Sequence, residues 1–430
     1  MAGITFDAFT SRYAQRTAGM TASEIRALFA VASRPEVVSL AGGMPYTTAL
    51  PLDAVGKLMS DLLATRGATA LQYGSGQGDP VLREHICEVM ALEGVVGSPD
   101  DVTVTVGSQQ ALDLITRIFI DPGDVILAEA PSYVGALGTF AAYQAEVVHV
   151  PMDDKGLVPE ALREAIAALK AAGRTVKFLY TIPNFHNPAG TSLIEARRAE
   201  VLQICVDAGL LVIEDNPYGL LGFEGPPTPA IRSLGDEDNV IYLGSFSKTF
   251  APGLRVGWVL APHAVREKLV LASEAAVLCP PALNQMVVTE YLSTQDWQGQ
   301  VEVFKGIYQE RRDAMLGALT ELMPKGTTWT HPTGGFYVWT TLPEGLDAKV
   351  MQPRAITARV AYVPGIGFYA DGQGQRELRL SYCFPEPSRI VEGVRRLAGV
   401  VEAELELLET FGPALSDRVH GATTPGPGTL

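Results

Sequence analysis

The sequence lacks the features that mark membrane and secreted proteins. It contains no apolar run approaching the roughly 18 residues that a membrane-spanning helix needs. Its N-terminus mixes charged and polar residues and has no long apolar core, so neither a signal peptide nor an anchor is predicted. We therefore expect a cytoplasmic protein with no membrane partner.

Cysteine and histidine are also scarce, at four and six residues. The cysteines form no CxxC motif and the histidines show no HxxxH spacing, which argues against a disulfide scaffold and a zinc site. We expect buried, reduced thiols, as is typical of an intracellular enzyme, and no bound metal. The four cysteines are Cys87, Cys205, Cys279 and Cys383.

Positive charge is in deficit, because 33 Lys and Arg residues face 48 Asp and Glu residues and leave a net charge of −15. Nucleic acids and anionic membranes bind basic surfaces, so neither is an expected partner. By contrast, 47% of the 430 residues are hydrophobic. A chain of this length and composition predicts a large buried core, organised as one large domain and a smaller one.

Six short apolar runs, rich in β-branched residues, alternate in most places with segments of helical periodicity. Buried strands that alternate with helices predict a parallel sheet covered on both faces, with ligands at the carboxyl ends of its strands. The predicted strands are Val102–Val106, Asp124–Ala130, Glu146–Pro151, Lys177–Pro183, Leu210–Asp215 and Val240–Gly244. The helical segments between them are Gln109–Phe119, Val134–Tyr143, Pro159–Ala171 and Ile194–Ala208.

The rest of the chain predicts smaller units around this sheet. Residues 1–44 hold a short helix, with Ile25, Leu28 and Phe29 at helical spacing, and after Asn284 a different rhythm of helices and strands predicts an α+β domain. Further helices are predicted at Leu52–Ala64, Val81–Glu93, Leu283–Leu292, Gln300–Met323, Asp347–Arg359 and Pro387–Leu408. We predict an N-terminal segment that packs with the small domain (1–44), a large domain (45–285), a small domain (286–411) and a disordered tail (412–430).

One predicted strand end is followed by a sequence suited to binding phosphate. The strand that begins at Val102 leads to Gly107, and a helix begins at Ser108. The free backbone amides and the dipole of a helix N-terminus favour an anion there. Ordinary capping of the helix by Ser108 explains the same pattern, so this segment alone leaves both interpretations open.

Two further strand ends carry polar residues. Asn187 opens the motif NPAG, and Asp215 lies at the end of an apolar strand within the motif EDNPYG. A carboxylate with few competing partners is suited to holding the protonated nitrogen of a heteroaromatic ring. Alternatively, Asp215 caps a turn or helix, and Asn187 is a turn residue ahead of proline.

Lys248 follows another apolar strand, with Ser245, Ser247 and Arg255 close in sequence. Most lysines are solvated surface charges, and Lys248 considered by itself is open to that interpretation. The serines offer hydroxyl donors and the arginine a bidentate donor for an anion. A phosphate-binding helix, a carboxylate, a lysine and an arginine together are what pyridoxal 5′-phosphate requires.

In combination, these motifs resemble the fold-type I, pyridoxal phosphate-dependent aminotransferases of class I/II. The chain is most similar to the 2-aminoadipate aminotransferase branch and to the aminotransferase-like domains of MocR regulators, over roughly residues 20–405. The motifs, in family order, are SEIR, SLAGGMP, QYGSGQGDPVLRE, GSQQALDL, APSYVG, PNFHNPAG, EDNPYG, GSFSKTFAPGLRVGW, GGFYVW and LRLSYC. The resemblance implies an α/β fold like that of aspartate aminotransferase, with a mainly parallel seven-stranded sheet in the large domain and a smaller α+β domain.

The resemblance also implies which residues bind pyridoxal 5′-phosphate. Lys248 would form a Schiff base with it and later act as the base in the proton shift, while Asp215 would keep its ring nitrogen protonated. Asn187 and Tyr218 would donate to the 3′-oxygen, and Tyr133 would lie over the ring. The phosphate would be held by Ser108, Gln109, Ser245, Ser247 and Arg255.

The implied substrates are an amino acid and a 2-oxo acid. Arg379 would grip the α-carboxylate, Asn187 would contact the substrate as well as the cofactor, and Gly43 would bring the backbone close. Tyr73 would reach the cofactor and the substrate from a partner subunit, so the active unit is expected to be a homodimer.

Arg26 is the residue that bears most on specificity. In the 2-aminoadipate branch, the arginine of this helix reaches the distal carboxylate of an acidic substrate, whereas a surface arginine paired with a glutamate is the alternative here. Glutamate and 2-oxoglutarate are the expected second substrate pair. The first pair is left open among 2-aminoadipate, aromatic and branched-chain amino acids.

Two residues near the motifs depart from the family or are ambiguous. Asn216 occupies a position where relatives often have a second aspartate, and it is expected to lie away from the cofactor. His186 either supports the site from behind or lines the substrate, or else it belongs to a surface loop.

Other functions stay open. A lyase or decarboxylase of the same fold would use the same lysine, aspartate and arginine. A MocR-like regulator would carry a basic DNA-binding module ahead of this domain, whereas here the resemblance begins near residue 20 and the composition is acidic. A binding protein without catalysis would not need both Lys248 and Arg379.

Overall fold

The structure, a computed structural model, describes residue 7 and residues 9–20, 34–235 and 238–412. The predicted helix that holds Arg26 and the predicted tail beyond residue 412 lie outside these ranges. No helix among the described residues combines the length and the apolar character needed to cross a membrane.

An eight-stranded sheet forms the centre of the larger part of the chain. Its five middle strands, β8, β7, β6, β3 and β4, are parallel, and the remaining three pair antiparallel. In sheet order the strands are β2 (Val102–Thr105), β9 (Gly257–Leu260), β8 (Val240–Ser245), β7 (Leu211–Asp215), β6 (Val176–Thr181), β3 (Val125–Ala130), β4 (Glu146–Asp153) and β5 (Gly156–Leu157). The predicted sheet of seven strands is therefore extended by one, because the chain turns back after β4 to form the two-residue β5.

Helices cover both faces of this sheet, as the unbroken apolar runs predict. Ile126 of β3 packs against one layer of helices, whereas its neighbour Leu127 packs against the other, because successive strand residues point to opposite faces. The helices of the larger part are α1 (Leu52–Ala70), α2 (Pro80–Ala91), α3 (Ser108–Phe119), α4 (Val134–Ala142), α5 (Pro159–Ala171), α6 (Glu195–Asp207), α7 (His263–Val277) and α8 (Ala282–Thr294).

A second, four-stranded antiparallel sheet lies in the C-terminal part of the chain. In sheet order its strands are β10 (Thr328–Trp329), β11 (Tyr337–Thr341), β14 (Glu377–Ser381) and β13 (Val363–Pro364). The accompanying helices are α9 (Trp297–Leu322), α10 (Ala348–Thr357) and α11 (Pro387–Phe411). The structure therefore contains the α+β arrangement predicted after Asn284, while the predicted domain boundaries stay a prediction.

The N-terminal segment joins this second part through a short parallel pair, β1 (Val38–Ser39) with β12 (Val360–Ala361). The Ser381 N–H of β14 also donates to the Leu40 carbonyl at 2.8 Å. Earlier in the chain, the short helical turn Gln15–Gly19 lies instead against α4, in the larger part. Contacts of the segment 1–44 are thus not confined to the predicted small domain.

Besides the two-residue strands β5 and β10, the sequence patterns did not predict one longer strand and one helix. Strand β9 was not predicted, because four residues directly after a glycine-rich turn give too short an apolar run. Helix α7 was not predicted either, since its 15 residues bury only Leu269 and Ser273 and so show little periodicity. The expectation of buried thiols is met by Cys205 and Cys383, whereas Cys87 and Cys279 are partly exposed.

Candidate active site

The carboxyl ends of the parallel strands meet at one edge of the large sheet. Asp215 ends β7 and Ser245 ends the neighbouring β8. Strand β2 is antiparallel to β9, which is antiparallel to β8, so β2 also ends at this edge. The predicted residues that follow these strand ends are Ser108, Tyr133, Asn187 and Lys248, and the topology therefore brings them to the same edge.

Lys248 follows β8 and is partly buried. Its Nζ donates a hydrogen bond to the Gly43 carbonyl at 3.0 Å and lies 5.4 Å from the centre of the Phe336 ring. The pKa of Lys248 is lowered from its ordinary 10.5 to about 8, mainly by burial and in smaller part by the charges of Arg379 and Arg255, while Cys383 opposes the shift. The interpretation of Lys248 as a solvated surface charge is wrong.

Asp215 is buried, and its two carboxylate oxygens differ in their surroundings. Oδ2 accepts a hydrogen bond from the Tyr180 hydroxyl at 2.8 Å, while Oδ1 has no hydrogen-bond partner among the described residues. Burial raises the pKa of Asp215 to about 6, although the Tyr180 hydrogen bond and the charge of His186 oppose this. One buried oxygen is thus available for a donor that the described part of the chain does not provide.

Arg255 lies at the N-terminus of α3 and joins it to the loop after β8. Its Nη2 donates to the Val106 carbonyl at 3.2 Å, and its Nη1 lies 3.4 Å from Ser247 Oγ. Ser245 Oγ in turn lies 2.9 Å from Ser247 Oγ. The first amides of a helix lack hydrogen-bond partners within it, so the N-terminus of α3 offers free donors. Together with the two serine hydroxyls and the guanidinium, these amides form one cradle that is rich in hydrogen-bond donors.

Two glycines make room for this cradle. A Cβ on Gly107, whose φ is +74°, would collide with the Arg255 guanidinium, and a Cβ on Gly257 would collide with the backbone of Gly107 and Ser108. Gly107, rather than Ser108, caps α3 and makes no side-chain capping bond. Simple capping by Ser108 is therefore the wrong explanation of the sequence pattern.

The side chain of Gln109 makes its hydrogen bonds outside the cradle. The Nε2 donates to Thr139 Oγ1 at 2.8 Å and to the Gly135 carbonyl at 3.2 Å, and Oε1 accepts from the Tyr133 hydroxyl at 3.2 Å. Only the backbone N–H of Gln109, at the N-terminus of α3, is therefore left to contribute to the cradle. Its side chain instead positions Tyr133, whose pKa burial raises to about 12.

Arg379 of β14 reaches into the site from the second sheet and is 1% exposed. Its Nη1 donates to Asn187 Oδ1 at 2.8 Å, and its Nη2 donates to the Ala41 carbonyl at 2.8 Å. The guanidinium also lies 4.2 Å from the centre of the Tyr337 ring. Three distant parts of the chain thus hold one buried cation beside the strand ends.

Tyr218, three residues after Asp215, is also buried, and its hydroxyl is hydrogen-bonded to that of Tyr337. Burial raises the pKa of Tyr218 well above its usual value, so its hydroxyl stays protonated at neutral pH. A Cβ on Gly43 would collide with the Tyr337 hydroxyl. Gly43 is thus required by close packing against Tyr337, as well as for its carbonyl bond to Lys248.

The remaining predicted residues lie in different settings. His186 is fully buried, with its Nε2 3.1 Å from Glu129 Oε2, so the surface-loop interpretation is wrong. Tyr73 is 77% exposed, and within this single chain it is not brought to the strand ends. Arg26 lies outside the described residues.

Sequence reasoning missed two tyrosines of the site. Tyr180 lies within a predicted strand, and only the pairing of β6 with β7 places its hydroxyl beside Asp215. Tyr337 was noted within the motif GGFYVW but was given no role. Each of these strands holds a second aromatic residue, Phe178 in β6 and Trp339 in β11, so no local pattern singles out the two tyrosines.

Comparisons with known proteins agree with this geometry. The model of a family described as aminotransferase class I and II matches residues 35–397. The chain is also 41% identical over 396 residues to aromatic-amino-acid aminotransferase 1 of Thermococcus litoralis, an alignment that covers 92% of this chain and 95% of the relative.

Two solved structures superpose on nearly the whole chain. One is the kynurenine aminotransferase of Pyrococcus horikoshii in complex with PMP, with a TM-score of 0.88, 39% identity, and coverage of 92% of this chain and 98% of that chain. The other is LysN, the α-aminoadipate aminotransferase of Thermus thermophilus, complexed with N-(5′-phosphopyridoxyl)-L-leucine. Its TM-score is 0.86 at 37% identity, with coverage of 93% and 100%.

Proposed function

The chain belongs to the aminotransferase class I and II family, and from this premise we propose that it exchanges amino groups between glutamate and a second amino acid. The predicted family, fold class and cofactor are confirmed: the chain is a fold-type I aminotransferase that uses pyridoxal 5′-phosphate. The roles of its individual residues, its substrates and its assembly are the proposal.

The described residues fit pyridoxal 5′-phosphate. The cradle of Ser245, Ser247, Arg255 and the N-terminus of α3 suits a phosphate, and the free Oδ1 of Asp215 suits a ring N–H⁺. When bound, this cofactor supplies an electron sink that stabilises negative charge at the substrate α-carbon.

In this proposal Lys248 would hold the cofactor through a covalent bond until the amino group of the substrate takes its place at that bond, and the freed lysine amine would then carry the proton. With its pKa lowered to about 8, a substantial fraction of its Nζ is neutral near physiological pH. A neutral amine with a pKa close to the working pH is an efficient general base. Its Nζ therefore accepts the proton that leaves the substrate α-carbon.

Asp215 keeps its charge at neutral pH, because a pKa of about 6 leaves the carboxylate mostly ionised. The Tyr180 hydroxyl donates to Oδ2, so Oδ1 would be left to accept a hydrogen bond from the ring nitrogen. Tyr218 and Asn187 are proposed to donate to the 3′-oxygen, and Tyr133 to pack on the ring.

Arg379 is proposed to bind the substrate α-carboxylate. Its guanidinium is fixed by Asn187, by the Ala41 carbonyl and by the face of Tyr337, so little conformational entropy is lost when a carboxylate binds. The convergence of Lys248, Asp215 and Arg379 at one sheet edge is the observation that carries the proposed function.

For the second amino acid we propose 2-aminoadipate or an aromatic or branched-chain amino acid. Similar proteins are named for aromatic amino acids, kynurenine and α-aminoadipate. Arg26 is proposed to bind the distal carboxylate of glutamate and of 2-aminoadipate.

We also propose that the protein is a cytoplasmic homodimer in which Tyr73 completes the site of the partner subunit. The support is the exposure of Tyr73 together with its neighbour Leu71, which is 73% exposed. Two large apolar side chains on one loop favour burial against another protein surface.

A half-reaction tests the proposed function. Holoenzyme is mixed with single amino acids, without any 2-oxo acid, and the visible absorbance of the cofactor is followed while the product is identified by mass spectrometry. We expect glutamate and at least one of 2-aminoadipate, phenylalanine or leucine to discharge the absorbance, with one 2-oxo acid released per subunit. Discharge by no amino acid contradicts the proposal, and release of carbon dioxide or ammonia instead identifies a decarboxylase or lyase.

A further inference from the structure

Behind the candidate active site lies a buried polar cluster, defined by Glu93, Asn184, Asn216 and Tyr242, which the proposed function does not use. Glu93 follows α2 and is 4% exposed. Its Oε1 accepts hydrogen bonds from Asn216 Nδ2 at 2.7 Å and from Asn184 Nδ2 at 3.4 Å. Its Oε2 accepts from the Tyr242 hydroxyl at 3.1 Å.

Asn216 is at the centre of this cluster. Besides Glu93, its Nδ2 donates to the Tyr242 hydroxyl at 3.1 Å, and its Oδ1 accepts from Asn184 Nδ2 at 3.0 Å. Its backbone N–H donates to the Leu243 carbonyl of β8 at 3.0 Å. Because Asn216 directly follows Asp215, these bonds fix the direction in which the chain leaves β7.

The carboxylate of Glu93 also limits the path of the loop beyond Tyr218. A Cβ on Gly219 would collide with Glu93 Oε1 and with the Asn216 amide. The loop Asn216–Gly219 is therefore packed directly on Glu93. This loop connects Asp215 to Tyr218, so a single buried carboxylate borders the backbone on which both proposed cofactor contacts depend.

A buried carboxylate costs free energy unless donors compensate for its lost hydration. The pKa of Glu93 is raised to about 7, mainly by burial and also by the nearby Glu214, although the hydrogen bonds from Asn216 and Tyr242 and the charge of Arg198 oppose the shift. Arg198 itself donates to Asn184 Oδ1 at 2.5 Å. Asn216, whose hydrogen bond lowers the pKa of Glu93 most, belongs to the loop Asn216–Gly219. The hydrogen bonding of Glu93 and the ordering of this loop are therefore coupled.

We propose that Glu93 is a positioning residue which, through Asn216, holds the loop that carries Asp215 and Tyr218 in the geometry that the cofactor ring requires. This inference rests on the proposed function, because it assigns Glu93 to the support of two residues that the proposed function places on the ring.

The first test uses holoenzyme of Glu93→Gln at a pH well above 7, where the carboxyl group of Glu93 is ionised; the substitution keeps the shape of the side chain and removes its charge. Two quantities are measured: the Kd for pyridoxal 5′-phosphate, and the pH at which the visible absorbance of the bound cofactor titrates. The second quantity depends on the contacts of the ring with Asp215 and Tyr218. We expect the Kd to rise roughly tenfold, as for loss of one charged hydrogen bond, and the titration to move by about half a pH unit or more.

Glu214→Gln is the matched control. Glu214 is also a fully buried carboxylate, directly precedes Asp215 and lies near Glu93, but it accepts the backbone N–H groups of Ile231 and Arg232 at 2.8 Å, which lie outside the loop Asn216–Gly219. This variant should lose thermal stability while the cofactor titration stays in place. If Glu214→Gln moves the titration as far as Glu93→Gln, the effect is general destabilisation and the inference is overturned.

An exchange of the two groups gives a stronger test. Asn216→Asp alone brings two carboxylates to hydrogen-bond distance, so the Kd for the cofactor should rise roughly tenfold or more. In the double variant Glu93→Gln with Asn216→Asp, the amide and the carboxylate have changed places and can pair again. We expect the double variant to recover cofactor affinity to within about threefold of the unmodified protein, a coupling expected for residues in contact.

The outcomes separate this inference from the proposed function. Additive losses in the double variant, or an unchanged titration in Glu93→Gln, overturn the role of Glu93. By contrast, failure of every amino acid to discharge the unmodified holoenzyme contradicts the proposed function, while the cofactor titrations still report whether Glu93 positions the loop.

Discussion

Lys248 loses the hydration of its ammonium form, because the surrounding side chains bury its Nζ. The hydrogen bond to the Gly43 carbonyl cannot replace a full shell of water, and two arginines nearby also disfavour a positive charge. The nucleophilic form of the amine is therefore populated at a pH where solvated lysines are almost entirely protonated.

This environment predicts the pH dependence of labelling at Lys248. After the cofactor is removed, an amine-reactive reagent should modify Lys248 with half-maximal rate near pH 8, because the folded protein lowers the pKa to about 8. Below that pH the amine is protonated and the rate should fall. Peptide mass spectrometry identifies the labelled residue. The Lys248→Met variant should lack the labelling whose rate is half-maximal near pH 8. A midpoint near the ordinary value of 10.5 would contradict the role of burial.

At the scale of single elements, the turn between β2 and α3 shapes the phosphate cradle. Gly107 in this turn has a φ of +74° and lies against the Arg255 guanidinium. Gly123, in another turn, has a φ of +90°, and a Cβ added there would meet no atom within 4 Å. Alanine substitutions at the two glycines therefore distinguish the effect of backbone strain from the effect of a collision with Arg255.

Gly107→Ala and Gly123→Ala should each lower the free energy of unfolding by about 1 kcal/mol, because both place a side chain at positive φ. Only Gly107→Ala should displace Arg255 and so weaken the binding of pyridoxal 5′-phosphate, by roughly tenfold for one lost charge-assisted hydrogen bond. Denaturant unfolding and cofactor titration measure the two effects. Equal cofactor affinity in the two variants would show that Arg255 does not depend on this turn.

The same scale shows how far the sequence predicts the structure. Strands such as β3 and β8 were predicted because both faces are buried and the apolar run is unbroken. Helix α7 was missed because a helix that buries one or two side chains has little periodicity to detect. Lys248 and Arg379 were identified by motif, but no local pattern identifies Glu93, whose partner Asn216 comes from a distant segment.

At the scale of the whole molecule, the proposed homodimer would make each subunit incomplete by itself, because its site would need Tyr73 of the partner subunit. Lys248→Ala should abolish turnover, and Tyr73→Ala should lower cofactor affinity and turnover. In a hybrid dimer of the two variants, one site combines the intact Lys248 of one subunit with the intact Tyr73 of the other. Mixing the variants after subunit exchange should therefore restore turnover above that of either parent, as measured by steady-state assay.

The control for this experiment is a mixture of Lys248→Ala with a Lys248→Ala, Tyr73→Ala double variant, which contains no intact site in any pairing. Restoration in the control would reveal contamination. Absence of restoration in the test mixture, although exchange is verified by native mass spectrometry, would place Tyr73 within its own subunit or outside the site.

The position of β2 in the sheet has a consequence for how the chain acquires its shape. Thr105 pairs with Gly257, and this pairing brings Gly107 close to Arg255. The two halves of the phosphate cradle thus belong to segments that a ribosome produces far apart in time, with β3 to β8 synthesised between them. Closing so long a loop costs entropy before any contact rewards it, and sheets with such distant pairings fold slowly. A nascent chain that ends before β9 lacks this pairing, so we expect cofactor binding to follow the synthesis of β9.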